Sequence, residues 1–347
     1  MRFSLRRSSA CGLAIFLSAI VCSAQSEKRD IKIGFSIENV KGERWQTDLY
    51  EFRQRAQELG ASVITRDAKG DDEVQLRQVN ELLDAGIDAL VFLPHDTNKA
   101  APIVAAAHGK NVPVISYDRL ASAPVDLYVG FDLFSVGILQ ARSLVEQAPR
   151  GNYLLLGGSP LDGNSKIVRA GQMKILQPFI DRRAIKIVAD IWVPEWSGTQ
   201  AYLLVSDKLQ RLDVPLTAIV ASNDSIAGGA IQALDDQKLS GKVFVSGQDA
   251  DLAGVERLFD GTQLMTVYKP VGKEARTAAE AAVRLARHQE VEGTSVRNGD
   301  RTTKAILLPP IAVTAQNAKD TVFKDGFQKP EVVKQGLPKE KWAEFEK

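Results

Sequence analysis

The segment "ALVFLPHDTNKAAPIVAAAHGKNVPVISYDRL", residues 89–120, decides the fold. It opens on a continuous apolar run, "ALVFLP" (89–94), and passes through a helix-forming stretch, "NKAAPIVAAAHGK" (98–110). It then returns to a second run, "VPVISYD" (112–118). A strand that is apolar or β-branched at nearly every position has no solvent face, which marks it as covered on both sides in a parallel sheet. The helical stretch ends at a glycine, as helix C-termini tend to. Strand, helix and strand in this order make a right-handed crossover unit. The second run ends in Asp118 and Arg119. Adjacent strand residues point to opposite faces, so the two do not pair neatly, and an exposed pair would contribute little. Both are expected to face a third party that needs an acceptor and a donor together.

The same alternation extends in both directions. Strand-like runs are read at 31–37, 62–65, 127–132, 153–158, 185–193, 217–224, 242–249 and 264–269, separated by amphipathic segments such as "DEVQLRQVNELLDAG". About ten strands make an oversized single sheet, so two doubly wound parallel-sheet lobes are expected. "IKIGFSI" opens the first lobe and "GNYLLLGG" the second. A helix follows Pro270 at 271–289, and a last apolar run, "AILLPPIAV" (305–313), precedes a Lys/Glu-rich stretch. Residues 329–347 read as a loosely ordered polar tail.

The 347 residues are 44% hydrophobic and 25% charged, ordinary for a globular chain of about two domains. The start differs. Arg2, Arg6 and Arg7 precede an apolar run from Ala10 to Cys22, and Cys22-Ser23-Ala24 supplies small residues, the pattern of a secretory signal peptide over residues 1–24. Both cysteines, Cys11 and Cys22, fall inside it, so the remaining chain has no disulfide or thiolate metal site to lean on. Without the three leader arginines the chain carries 41 Lys and Arg against 43 Asp and Glu, a net charge of −2. That balance points to neither nucleic acid nor an anionic membrane as partner. The periplasm is the expected location.

Ligands of open α/β sheets bind beyond the carboxyl ends of the strands. In this chain those ends carry Arg44 and Trp45, Asp118 and Arg119, Asp162 with Asn164, Trp196, Asn223, Gln248 and Asp249, and Lys269. A single polar tip means little, because loops are polar anyway. Seven tips furnished with planar hydrogen-bonding groups and indoles form a pattern. Sugar hydroxyls donate and accept, carboxylates accept, guanidinium and ammonium donate, and carboxamides do both. Indoles pack on the apolar C–H faces of a pyranose. The mixture suits a neutral sugar.

The stretches "ERWQ", "ISYDR", "RGNYLLLGGSP", "RAGQMK", "VASNDSIAGGAIQAL", "SGQDADLAG" and "GTQLMTVYKP" carry a resemblance over about residues 31–328. The chain resembles the ribose/galactose-type pentose-binding family of periplasmic solute-binding proteins of ABC transporters, in its D-xylose-binding branch. The resemblance implies a type I periplasmic binding protein fold: two lobes, a hinge and a ligand cleft. Residues 31–132 with about 271–304 would form the first lobe, and 133–268 with about 305–328 the second. Arg44, Trp45, Asp118 and Arg119 would bind sugar from the first lobe. Asp162, Asn164, Trp196, Asn223 and Asp249 would do so from the second, and Lys269 near the crossover. The implied partners are a monosaccharide and a membrane permease with its cytoplasmic ATPase, or a sensory receptor reading the closed form. A monomer without cofactor or metal is expected.

An exported sugar-acting enzyme is the rival reading, with Asp249 and Asp251 as a carboxylate pair. No G-x-S-x-G, H-E-x-x-H or G-x-x-x-x-G-K signature supports it. A repressor core would need an N-terminal helix-turn-helix, and the leader occupies that place. His95, His108 and His288 are scattered; His108 and His288 lie on helix ends, where surface placement is favoured, and the cleft mouth is the lesser reading for His95, which follows a strand.

Overall fold

A computed structural model describes Met1 and residues 30–41 and 43–345; apart from Met1, the expected leader lies outside the described residues. The first lobe is built from β1 (Ile31–Ile37), α1 (Glu43–Glu58), β2 (Ala61–Asp67), α2 (Asp72–Asp84), β3 (Ala89–Phe92), α3 (Ala101–His108), β4 (Val114–Tyr117) and β5 (Leu127–Phe131). The chain crosses at Asp132, which caps the next helix by accepting from the Ser135 N–H at 3.1 Å. The second lobe then runs through α4 (Leu133–Gln147), β6 (Gly151–Gly157), α5 (Gly163–Asp181), β7 (Ile185–Trp192), α6 (Gly198–Gln210), β8 (Ala218–Ala221), α7 (Asp224–Asp236), β9 (Phe244–Val245), α8 (Leu252–Asp260) and β10 (Thr266–Tyr268). After Lys269 and Pro270 the chain returns to the first lobe as α9 (Val271–Ala286), β11 (Thr294–Asn298) and β12 (Arg301–Leu308). It crosses a third time at Pro309-Pro310 and ends in the second lobe as β13 (Ile311–Val313), α10 (Pro330–Gly336) and α11 (Trp342–Phe345).

The first sheet has the order β11-β12-β5-β4-β3-β1-β2, parallel throughout except for β11. Alternate residues of its strands serve two cores. Ile33, Phe35, Ile37, Val91 and Ile115 pack with Phe52 of α1 and the alanine face of α9. Leu90, Phe92 and Val114 pack with Leu82 of α2 and Val104 of α3 on the other side. The period of two explains why these runs lack polar positions: both faces are interior. The second sheet, β7-β6-β8-β9, is built the same way, with α6 and α7 on one side and α4 and α5 on the other. The β10–β13 antiparallel pair continues beyond β9 through a bridge between Ser246 and Met265.

Helices α4 and α5 approach closely enough that their backbones touch. A Cβ added to Gly171 would press on the Phe134 carbonyl oxygen and lie 3.1 Å from the Gly137 Cα. In an open helix, Gly→Ala stabilises by about 1 kcal/mol. Here the sign should reverse, because the helices must separate to admit the methyl group, at about 1–3 kcal/mol. A urea midpoint for Gly171→Ala that equals or exceeds that of the wild type would refute this packing.

Two expected boundaries change. Residues 305–308, assigned from sequence to the second lobe, pair with Tyr128–Phe131 and belong to the first sheet; only at Ile311 does the chain join the second lobe. The apolar run is two strands divided by Pro309-Pro310, whose rings cannot continue a ladder. The supposed polar tail is also corrected. Val333, Leu337 and Phe345 are buried in a cluster with Val255 and Leu258 of α8. Charges on the outer side of this segment conceal a 333/337 spacing that presents one apolar face.

Candidate functional site

The carboxyl ends of both sheets face each other across a cavity of about 360 Å³. All ten residues expected from sequence line it: Arg44, Trp45, Asp118, Arg119, Asp162, Asn164, Trp196, Asn223, Asp249 and Lys269. The lobes touch at its rim. Arg119 Nε lies 3.1 Å from Asp162 Oδ2, and Asn164 Nδ2 donates to the Asp118 carbonyl at 3.3 Å. These are contacts of a closed conformation.

Each polar group is positioned by local structure. β4 stops at Tyr117, and Asp118 turns into the left-handed region at φ 59°, which re-aims the chain so that Asp118 and Arg119 both reach the cavity. The two do not pair with each other. Asp118 bonds Arg44, whereas Arg119 reaches Glu38 at 2.9 Å, Asp162, and the Pro94 carbonyl at 3.2 Å. Glu195, Trp196 and Asp249 also hold positive φ, at 54°, 55° and 96°. A left-handed non-glycine residue costs of order 1 kcal/mol, and four of them around one cavity mark backbone shaped for something other than stability.

Helix starts position the second lobe's groups. Asp162 caps α5 through the Asn164 N–H at 2.9 Å and accepts from Trp196 Nε1 at 3.3 Å. Asn223 caps α7, with Oδ1 accepting from the Ile226 N–H at 2.9 Å, which leaves its amide NH₂ as a donor. Lys269, at the crossover between lobes, pairs with Asp249 at 2.9 Å. Burial pushes the Asp118 carboxyl up, but Arg44, Lys269 and Arg119 outweigh it and hold it below the usual carboxylate range. The six charged residues of the expected set are three cations and three anions, so the set is electrically balanced. Trp45 lies under the Arg44 guanidinium at 4.4 Å, one indole face engaged.

The lining also includes Leu133, Val168, Glu195, Gln248 and Asp251. Gln248 stands at a strand end like the others. Leu133 and Val168 carry no signal that separates them from core residues. His95 lines an adjoining polar cavity of about 280 Å³ between the lobes, its Nδ1 3.2 Å from Asp72. Among the described residues, no group of three His, Cys, Asp or Glu is placed to hold a metal ion.

A periplasmic binding protein domain matches residues 33–290. The chain belongs to the periplasmic binding protein family. Two relatives match nearly its whole length. The D-xylose-binding periplasmic protein of Escherichia coli strain K12 is 44% identical over 319 residues, 91% of this chain and 97% of that one. The D-xylose-binding periplasmic protein of Haemophilus influenzae is 45% identical over 315 residues, 90% and 95% of the two chains. A solved structure, the carbohydrate transporter solute-binding protein of Chloroflexus aurantiacus in complex with D-glucose, is similar with a TM-score of 0.82 and 30% identity. That likeness covers 90% of this chain and 99% of the other. The family is one of solute-binding proteins, and its type I fold is the two-lobed α/β plan described above.

Proposed function

We propose that this protein is a periplasmic receptor that captures D-xylose, or a closely similar pyranose, between its lobes and delivers it to an ABC permease. The observation that carries the reading is the convergence of ten side chains, drawn from both lobes, on one cavity of monosaccharide-binding character. Its volume falls in the range of about 300–1,000 Å³ usual for small-molecule sites. Each cation of the lining already has a carboxylate partner, Arg44 with Asp118, Arg119 with Asp162 and Lys269 with Asp249, so the cavity offers no unpaired cation to an anionic ligand. Carboxylates and guanidinium then hydrogen-bond sugar hydroxyls with charge assistance. The indoles of Trp45 and Trp196 offer apolar surface to the ring. The relatives named for D-xylose match this chain along nearly its whole length, which supports the choice of sugar.

Binding does the work by differential affinity. Neither lobe alone satisfies all the hydroxyls of a pyranose, so the sugar favours the closed form over the open one by the contacts made only on closure. No covalent step is involved. The permease reads the closed pair of lobe surfaces in the periplasm.

The test is a thermal-shift panel of D-xylose, L-arabinose, D-ribose, D-glucose and D-galactose. At one hundred times its Kd a ligand adds about 2.7 kcal/mol of stability, which for a chain of this size raises Tm by about 4 °C. D-xylose is expected to give the largest shift. A panel in which no sugar moves Tm overturns the reading.

A further inference from the structure

Beneath the sugar cavity Arg44 and Asp118 join a buried ionic cluster whose other members, Asp48 and Glu274, the expected ligand set does not include. Arg44 has only one face on the cavity. Its Nη2 lies 3.1 Å from Glu274 Oε2 and also bonds Asp118, while its Nε faces Asp48 Oδ2 at 3.8 Å. Asp48 and Glu274 are both fully buried. Asp48 accepts a hydrogen bond from the Tyr117 hydroxyl. Three carboxylates therefore surround one guanidinium in the first lobe's interior, an arrangement that core packing does not call for and that costs desolvation. Glu274 sits in the first turn of α9, four residues after the Lys269-Pro270 crossover.

We infer that Glu274 is a positioning residue for sugar capture, holding the Arg44 guanidinium, together with Asp48, in the orientation from which it meets the ligand. The inference rests on the sugar-receptor reading given above. Arg44 is long and has many rotamers, and locking them before the ligand arrives removes an ordering cost from binding. The hydrogen bond comes from α9 through Glu274, while Asp48 on α1, 3.8 Å from Nε, adds charge from a second side without a hydrogen bond.

The charge state matters to this lock. Burial, together with the charge of Asp118, drives Glu274 well above the usual carboxylate range against the pull of Arg44. Burial pushes Asp48 up to about 7, opposed by Arg44 and Tyr117. The other groups facing the pair are Tyr117 from β4, Asp118 just beyond it, Tyr128 from β5, Lys269 at the crossover and Asp249 from the second lobe. Both shifts run toward a proton shared within the Asp48–Glu274 pair. A sugar oxygen that accepts from another Arg44 donor draws on the guanidinium charge, weakens its pull on the carboxylates still bonded to it, and raises their proton affinity. The bound form then holds the proton more tightly than the free form, so affinity falls as pH rises through the titration of the pair.

The experiment is calorimetric titration of D-xylose into the wild type, Glu274→Ala and Glu274→Gln between pH 6 and pH 9, with unfolding midpoints recorded alongside. We expect the wild type to lose affinity with rising pH by about tenfold, matching a proton held about tenfold more tightly in the bound form. Glu274→Ala should bind about tenfold or more weakly at pH 6, because Arg44 loses a charge-assisted bond. Glu274→Gln should recover most of that loss, since the amide keeps a carbonyl acceptor for Arg44, and should show a flatter pH profile. Three results overturn the inference: Glu274→Ala binding as well as the wild type, Glu274→Gln no better than Ala, or identical pH slopes in the wild type and Gln variant. A wild type that binds no sugar at any pH instead defeats the functional reading itself.

Discussion

Asp118→Ala should weaken D-xylose binding by about 3–5 kcal/mol, a loss of about two to four orders of magnitude in affinity. Asp118 is the acceptor that balances Arg44 at the cavity surface, and it stands beside Lys269 and Arg119. Removing it leaves cationic donors facing a desolvated cleft with one fewer partner than they need. The fold should suffer much less. Asp118 is one of three carboxylates around Arg44, and after burial its charge is the next cause that raises the Glu274 pKa. Without it Glu274 can ionise and take over the guanidinium. Calorimetry with xylose and urea unfolding of the same variant separate the two effects. A variant that binds normally, or that unfolds before it can be assayed, contradicts this division of labour. Asn223→Ala makes a useful contrast, because it removes one ligand donor and one helix cap. It should cost about 1 kcal/mol in each measurement.

Asp224→Ala should be the most destabilising single change near the site, at about 3–5 kcal/mol. Its carboxylate is fully buried and accepts from Gln263 Nε2 at 2.7 Å, Thr266 Oγ1 at 2.9 Å and the Asp251 N–H at 3.1 Å. Gly247 and Gly254 have no side chain because a Cβ at either would collide with this group. Burial and the neighbouring charge of Asp251 raise the Asp224 pKa well above normal, so the carboxylate is costly to hold there. Removing it relieves that cost. Three donors are nonetheless left facing a void that two glycines cannot fill, and their loss is the larger effect. Because Asn223 precedes Asp224 and Asp249 lies in the next loop, sugar affinity should fall as well. A urea midpoint close to that of the wild type would show that the pinning is dispensable.

What the sequence made legible divides along physical lines. β1 spans residues 31–37 as read, because a strand buried on both faces announces itself by composition alone. The ten cavity residues were visible because strand ends in a parallel sheet all point to one side, so a tip is a location as well as a composition. Asp48 and Glu274 were not. Each is a single acid in a helix whose other charges face water, and Glu274 reads as a first-turn acid suited to a helix start. Nothing in "ERWQTDLYEF" or "VGKEARTAA" says which acid turns inward until α1 and α9 are laid on the same sheet face. β11 escaped because "TSVRN" is a mostly exposed edge strand whose pairing, not its hydrophobicity, makes it a strand.

The return of the chain to complete the first sheet has a consequence for how the protein comes into being. β5 stays an open edge until β12 lies beside it, and everything in the second lobe up to β10 is synthesised in between. A nascent chain, or a fragment ending before Arg301, therefore presents unpaired strand edge to its neighbours and invites self-association. Such long-range closure makes assembly slow relative to a fold built from local pairs. The first lobe cannot mature ahead of the second; β12, made after most of the second lobe, is its keystone.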